Sequence, residues 1–429
     1  MNLTIKERID IIKTGSIPDG YKRCKTGTIP KDWDEKRIVE ICNVNKQSLN
    51  GSTPKDYLFN YYDLSSIDNG KIMHPPNQIR FEEAPSRARR IFKKNDILMS
   101  TVRPYLKGFA YIDFDCRDCI ASTGFAILES KNDKDAMLIY HNLFSYAIDK
   151  QINSLLVGSN YPAIKSSDVE NLKIPYAHNA CEREIIGNIL TTCDKAIELK
   201  EKLIEEKNKQ KTGLMQKLLT GKVRLPGFKG EWKEVKLGKV LKDKTEKTTE
   251  NDQYQILSCT KDGIVSQSDH FNKQIASTNN IGYKILKKGE VVLSPMNLWL
   301  GGIDISTFDV GIVSPAYKVY EVDYSIIGEN YLRNLLRSDY MIAKYDSISQ
   351  KGASVVRRNL SIKEFESLTI KLPTDFNEMN AIDKLIGIAS KEIALLEAEL
   401  KNLKLQKKGL MQLLLTGIIR VNTQENEKR

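Results

Sequence analysis

A chain of 429 residues exceeds what a single core fills and points to about three domains, or two large ones with connecting elements. Hydrophobic residues at 41% and charged residues at 28% exclude wholesale disorder, and a formal charge of +11 favours a polyanionic partner, nucleic acid above all. No apolar run approaches the ~18 residues a membrane span requires, and seven scattered cysteines form no disulfide framework, so a cytoplasmic protein without a membrane partner is expected.

The first 25 residues open with MNLTIKERID, too charged for a signal peptide, and read as an N-terminal arm. Residues 26–176 hold short β-rich runs broken by Gly, Pro, Asn and Asp, among them RIFKKNDILMS at 90–100, GFAYIDF at 108–114 and GFAIL at 124–128. An amphipathic helix is expected near 134–152. Cys116 and Cys119 form a lone C-x-x-C without the second pair that a zinc site needs, and read as a strand-end pair of small side chains.

Residues 177–226 form a central helical region. From about 182 to 219 proline is absent and apolar residues recur at steps of four and three: Ile186, Leu190, Cys193, Ile197, Ile204, Leu214 and Leu218, with Lys200, Lys207 and Lys211 at three positions of the same series. A second β-rich region spans 227–374, with strands expected at 287–294 and 316–322 and a helix near 327–342. Residues 375–429 form a second helical region and tail. Here Ile382, Ile386, Ala389, Ile393, Leu396, Leu400, Leu403, Lys407, Leu410 and Leu414 continue one phase from about 378 to 415.

The two helical regions are copies. QKTGLMQKLLTG at 210–221 returns as QKKGLMQLLLTG at 406–417, and Gly409 minus Gly213 is 196, as is Gly417 minus Gly221. The shared series is the pattern of two helices packing on each other, each roughly 57 Å long at 1.5 Å per residue. The β-rich regions share a frame as well. Each opens on a tryptophan, in PKDWDEKRIVEI and FKGEWKEVKLGKVL, and each closes in IKSSDVENLKIP or LSIKEFESLTIKLP. Between these borders the contents diverge, as two modules reading different targets do. The fold class expected is α+β, with two globular domains, two long antiparallel helices between them and an internal two-fold repeat.

Catalytic and metal constellations are missing from the sequence. There is no G-x-x-x-x-G-K-[ST] loop and no H-E-x-x-H; His74, His141, His178 and His270 stand alone. No N-P-P-Y/F string is present to grip a flipped adenine. A binding scaffold, with no catalytic residue and no metal, is expected rather than an enzyme.

The layout resembles the specificity subunit of type I restriction-modification systems, in which a variable target-recognition domain and a conserved long helix occur twice over. The match lies in TIPKDW, NDILMSTVRPYLKG, CIASTGFAIL, GSNYPAIKSSDVENLKIP and CEREIIGNILTTCDKAI, in VSPAYKVY of the second domain, and in the paired GLMQ-x-LLTG endings. The resemblance implies that each domain binds one half of a bipartite, asymmetric site on double-stranded DNA. It further implies that the helices fix the gap and dock two modification subunits. Those partners bring S-adenosylmethionine, and restriction subunits bring ATP and magnesium; the chain itself binds no cofactor. NLWLGGIDIS stands where the first domain has VRPYLKGFAYI, so a role for Arg103 does not transfer to the second domain.

Arginine and lysine hold phosphates, and arginine reads guanine through a bidentate contact. The candidate DNA contacts of the first domain are Arg87, Arg89, Arg90, Lys93, Ser100, Thr101, Arg103 and Lys107, together with the loop residues Ser159, Asn160 and Tyr161. Those of the second domain are Lys284, Lys287, Lys351, Arg357 and Arg358. The competing readings are a coiled-coil adaptor whose domains bind proteins, and a self-contained nuclease or modifying enzyme.

Overall fold

The computed structural model describes residues 3–68, 70–73, 78–156, 162–270, 279–351 and 358–423. The fold is α+β and divides into two compact units, Met1–Lys200 with Glu399–Arg429, and Glu201–Ala398. Among the described residues no helix is long and apolar enough to cross a membrane.

Two helices of 39 residues, Ala180–Leu218 and Phe376–Leu414, run without a break. Each begins on a capping side chain: Asn179 Oδ1 accepts from Cys181 N at 2.8 Å, and Asp375 Oδ1 from Asn377 N at 2.8 Å. Each is followed, three residues past its end, by a glycine in the left-handed region, Gly221 at φ +69° and Gly417 at φ +67°. There Val223 N returns to Lys217 O at 3.2 Å and Ile419 N to Leu413 O at 3.1 Å, satisfying carbonyls the helix leaves open.

In each unit the segments of these helices pack antiparallel. Ion pairs join Asp194 to Lys407 and Lys200 to Glu399 in the first unit, and Lys207 to Glu392 in the second, so one partner's number falls as the other's rises. Ile186, Leu190, Leu218, Ile382, Ile386, Ile393 and Leu414 are buried, and Ile197, Ile204, Leu214, Leu396, Leu400, Leu403 and Leu410 half-buried. Two of the lysines that interrupt the first series, Lys200 and Lys207, are half-buried and put their heads on glutamates, which is how a charged side chain fits an apolar stripe.

In the first unit a four-stranded antiparallel sheet has the order Phe109–Tyr111, Ile97–Ser100, Phe125–Ser130, Cys42–Val44. Its apolar side chains Ile97, Met99, Phe109 and Leu128 meet Ile139, Leu143 and Ile148 from two helices. A second sheet has the order Gln78–Arg80, Leu58–Tyr62, Cys119–Ser122, Ala88–Ile91. The second unit repeats the first sheet strand for strand, as Ile303–Ile305, Val291–Leu293, Lys318–Val322, Leu241–Lys244. Val291, Leu293, Ile303 and Tyr320 there pack on Tyr331, Leu335, Met341 and Tyr345.

The tryptophan borders close each unit. Trp33–Arg37 pairs antiparallel with Lys173–Ala177, and Trp232–Lys236 with Thr369–Pro373. The indoles carry the same bond twice: Trp33 Nε1 donates to Glu182 and Trp232 Nε1 to Glu378, both at 3.3 Å.

Two local expectations need correction. Where one helix is expected near 134–152 there are two, Ala136–Leu143 and Tyr146–Leu155; near 327–342 there are again two, Glu329–Leu336 and Asp339–Ile348. The breaks fall at Ser145 and Ser338, whose hydroxyls accept from Ile148 N and Met341 N at 3.3 Å and start a new helix. Cys116 and Cys119, expected as unbonded side chains, are joined by a disulfide; Asp118 between them takes φ +52° and brings their Cα atoms within 5.9 Å.

Candidate nucleic-acid interface

One edge of the first unit is assembled from four segments. The hairpin of Ile97–Ser100 and Phe109–Tyr111 turns through Pro104–Leu106, with Arg103 at φ +47° and Lys107 at φ +55° on either side. Left-handed backbone at two non-glycine residues costs on the order of 1–3 kcal/mol each and persists only where the surroundings enforce it. Here main-chain bonds do so. Arg103 N donates to Pro162 O and Thr101 N to Gly124 O at 2.8 Å, while Ile164 N reaches Thr101 O at 2.9 Å. Thr123 N donates to Arg87 O at 2.8 Å, so residues 87, 101–107, 122–124 and 162–164 meet at one place.

Several of the sequence-derived candidates therefore converge, and others do not. Arg87 is exposed on this edge. Arg89 lies 4.8 Å from the Phe81 ring centre and donates to Ala88 O. Arg90 donates to Ser48 Oγ at 3.2 Å, and its partial burial lowers its pKa. Lys107 is committed to Asp149 at 2.8 Å. Lys93 lies apart from the edge, paired with Glu129, whose carboxyl is held down at about 2 by Lys46 and Lys93. Ser100 and Thr101 are buried, and their hydroxyls donate to Val102 O at 2.6 Å and Gly124 O at 2.9 Å. As placed, both hydroxyls are engaged within the turn and hold it together. Ser159, Asn160 and Tyr161 lie outside the described residues, although Pro162 and Ala163 beside them join the edge.

The second unit builds the same turn from other residues. Ser294 N donates to Gly302 O at 2.8 Å as Ser100 N does to Gly108 O at 3.1 Å. The register places Asn297 where the first unit has Arg103, Trp299 where it has Tyr105, and Gly301, at φ +88°, where it has Lys107. The Arg358 guanidinium stacks 4.1 Å over the Trp299 ring and pairs with Asp346. Lys284 donates to Tyr317 O at 2.5 Å, and burial followed by the charge of Lys318 lowers its pKa. Lys287 stands away from the turn, against Glu246 at 3.0 Å. Lys351 lies in the strand Ser349–Lys351 paired with Arg358–Leu360; Arg357 lies outside the described residues. None of residues 294–302 carries a charge, so none stands out in the sequence as a DNA contact. The equal spacing from Ser100 to Gly108 and from Ser294 to Gly302 is the signal that finds them.

Residues 30–208 match the family model described as type I restriction modification DNA specificity domain. Over 432 residues, 94% of this chain and 98% of the relative, the sequence is 24% identical to the putative type I restriction enzyme MjaX specificity subunit of Methanocaldococcus jannaschii. Residues 30–208 thus form a type I restriction-modification DNA specificity domain, and the chain is similar along nearly its whole length to a specificity subunit of such a system.

A second relative, the MjaVIII specificity subunit of the same organism, is 27% identical over 213 residues. That match takes in 48% of this chain and 49% of the relative, so the chain spans about half of that relative's length. Solved structures share the fold of this chain. A chain from a study of complex assembly and conformational transition of the type I R-M system superposes with a TM-score of 0.63 at 21% identity, covering 91% of this chain and 99% of its own. The HsdS subunit from Thermoanaerobacter tengcongensis gives 0.50 at 21% identity, covering 91% and 98%.

Proposed function

We propose that this chain is a specificity subunit that reads a bipartite, asymmetric site on double-stranded DNA, one half with the turn-bearing edge of each unit. The observation that carries the reading is the pair of matched turns, Ser100 to Gly108 and Ser294 to Gly302. They stand on sheets of identical strand order, yet differ in the residues that build the turn: Arg103 against Asn297, Tyr105 against Trp299 and Lys107 against Gly301. Equal scaffolds with unequal tips suit two recognition domains, about 26–176 and 227–374, directed at different base sequences.

Each correct base pair contributes roughly 1–3 kcal/mol, so two short half-sites discriminate well only when held at a fixed spacing. The helical regions 177–226 and 375–429 would set that gap and dock two modification subunits carrying S-adenosylmethionine, with ATP-dependent restriction subunits joining the assembly in the cytoplasm. The chain itself would bring no cofactor and perform no chemistry.

The test is co-expression with a modification subunit followed by genome-wide mapping of N6-methyladenine. A gapped, asymmetric motif that appears only with this chain is expected. A continuous motif, or none alongside an active methyltransferase, overturns the reading.

A further inference from the structure

Beside the turn of the second unit lies an open recess of about 520 Å³, formed by the strand Leu257–Thr260, the turn Leu298–Leu300 and the segment from Ser314 to Tyr317. Its chemistry is selective. Among its lining residues there is no carboxylate and one full charge, Lys261. Lys284 adds a second positive charge beside it through its bond to Tyr317 O. The nearby Asp304 carboxylate is occupied by Arg333 at 3.1 Å and Arg337 at 3.3 Å.

Two carboxamides face the recess. Asn297 spends its main chain on the turn, donating to Ser294 O at 3.0 Å and accepting from Leu300 N and Gly302 N at 3.0 Å. Its side chain is exposed, and among the described residues no hydrogen bond takes up its amide. Gln267 donates from Nε2 to Ser258 Oγ at 2.7 Å, which fixes the plane of the amide and leaves Oε1 as an acceptor. Met296 and Leu300, 37% and 45% exposed, supply apolar surface in the same concavity. Carboxamides, a lone cation and uncovered methyl-bearing side chains are the groups that meet adenine edges, a phosphate and thymine methyl groups in the major groove.

We propose that this recess is where the second unit reads base edges. Asn297 and Gln267 address adenine, Met296 and Leu300 pack on thymine methyl groups, and Lys261 holds a backbone phosphate. The assignment rests on the DNA-specificity reading above. It also explains how a unit whose arginine Arg358 and lysine Lys287 are tied to carboxylates can still carry sequence information.

The test uses the full subunit in complex with its modification subunits. The parent complex must first yield a gapped methylation motif; if it yields none, the DNA-specificity reading fails, separately from this proposal. Given that motif, Asn297→Ala and Gln267→Ala should each relax an A·T position by about tenfold or more in one half only, with the other half and the gap unchanged. Asn297→Asp, which keeps the size of the turn residue but presents only acceptors, should shift preference from adenine towards cytosine and serves if the alanine variant does not fold. Lys261→Ala should weaken binding evenly across sequences and make the slope of log K against log salt shallower by about one. Unchanged motifs in the carboxamide variants, relaxation in both halves, or an unchanged salt slope for Lys261→Ala overturns the proposal.

Discussion

Arg420 grips Glu182 with two parallel hydrogen bonds, 2.6 Å from Nε to Oε1 and 2.9 Å from Nη2 to Oε2. Arg224 does the same to Glu378, at 2.9 and 2.5 Å, in the second unit. Both glutamates are buried, 2% and 0% exposed, and both also accept from a tryptophan indole. An arginine that follows one long helix thus neutralises a glutamate in the first turn of the other, where a carboxylate also suits the helix dipole. Removing one partner of a buried pair leaves the other charge uncompensated. Arg420→Ala should lower stability by about 3 kcal/mol in chemical denaturation. Glu182→Gln added to that variant should recover part of the loss, because no buried charge then remains.

The two glycines of each repeated block have opposite requirements. Gly417 has φ +67°, and a Cβ there would meet Pro30 Cγ at 2.6 Å and Trp33 Cζ2 at 3.2 Å. Gly409 lies within the helix with nothing inside 4 Å of the same atom. Gly417→Ala should destabilise by about 1–3 kcal/mol through strain and clash. Gly409→Ala should stabilise by about 1 kcal/mol through helix propensity. Unfolding midpoints of the two variants check the difference in sign.

Arg87 stands at the shared edge of the first unit, where its carbonyl accepts from Thr123 N, and Arg89 lies two residues further along the chain, over the Phe81 ring. The double variant Arg87→Ala with Arg89→Ala should weaken binding to sites carrying the first half. It should also make the slope of log K against log salt shallower by about one to two. Binding that stays unchanged across a salt titration removes these residues from the interface.

Acid should loosen the first unit through His141. The ring is buried against the first long helix with Nε2 3.1 Å from Thr191 Oγ1. That hydroxyl gives its proton to Gly187 O, so it accepts from the histidine, which is held in the neutral Nε2–H form. Burial, then the Lys407 charge, push its pKa down to about 3. The unfolded chain takes up a proton near the ordinary value of 6.5 that the folded chain refuses, so stability is full above 6.5 and falls as pH drops towards 3. Asp96, pushed up to about 6 by burial, works in the opposite sense over part of that window. The comparison is therefore between His141→Gln and its parent: the variant should lose stability less steeply from pH 6.5 to 4.

Asp383 carries the reverse sign in the second unit. Burial pushes its carboxyl up to about 6, against a smaller opposing effect from Asn334. The folded state keeps a proton that the unfolded chain releases near 4, so stability falls as pH rises through this range. Asp383→Asn should raise the thermal midpoint at pH 8 and do little at pH 4, by about 2–4 °C per kcal/mol recovered. Equal shifts at both pH values sink the argument.

The helices and their faces were legible because a helix records its environment locally. Ile382, Ile386 and Ile393 repeat at the helical period and are buried, and the expected span of about 378–415 differs little from Phe376–Leu414. The tryptophan borders were legible because Trp33 and Trp232 meet the same packing problem twice. Long-range chemistry left no such mark. Nothing near Glu182 in the sequence indicates Arg420, and the outward turn of the second unit, Met296 to Leu300, looks like ordinary apolar sequence. Charge drew notice to Lys93 and Lys287, which the fold binds to Glu129 and Glu246. Hydroxyls drew notice to Ser100 and Thr101, which it buries. A side chain's type says what it can bind; only its neighbours say whether that capacity is already used.

The first compact unit joins residues 1–200 to residues 399–429, whereas the second is one uninterrupted stretch. On the ribosome the second unit can therefore close as soon as it emerges. The first, although synthesised earlier, must wait for Arg420 to reach Glu182 and for Gly417 to seat beneath Trp33. A chain released before residue 399 would carry one finished unit and one missing a wall, and quality control would meet it as an incomplete core.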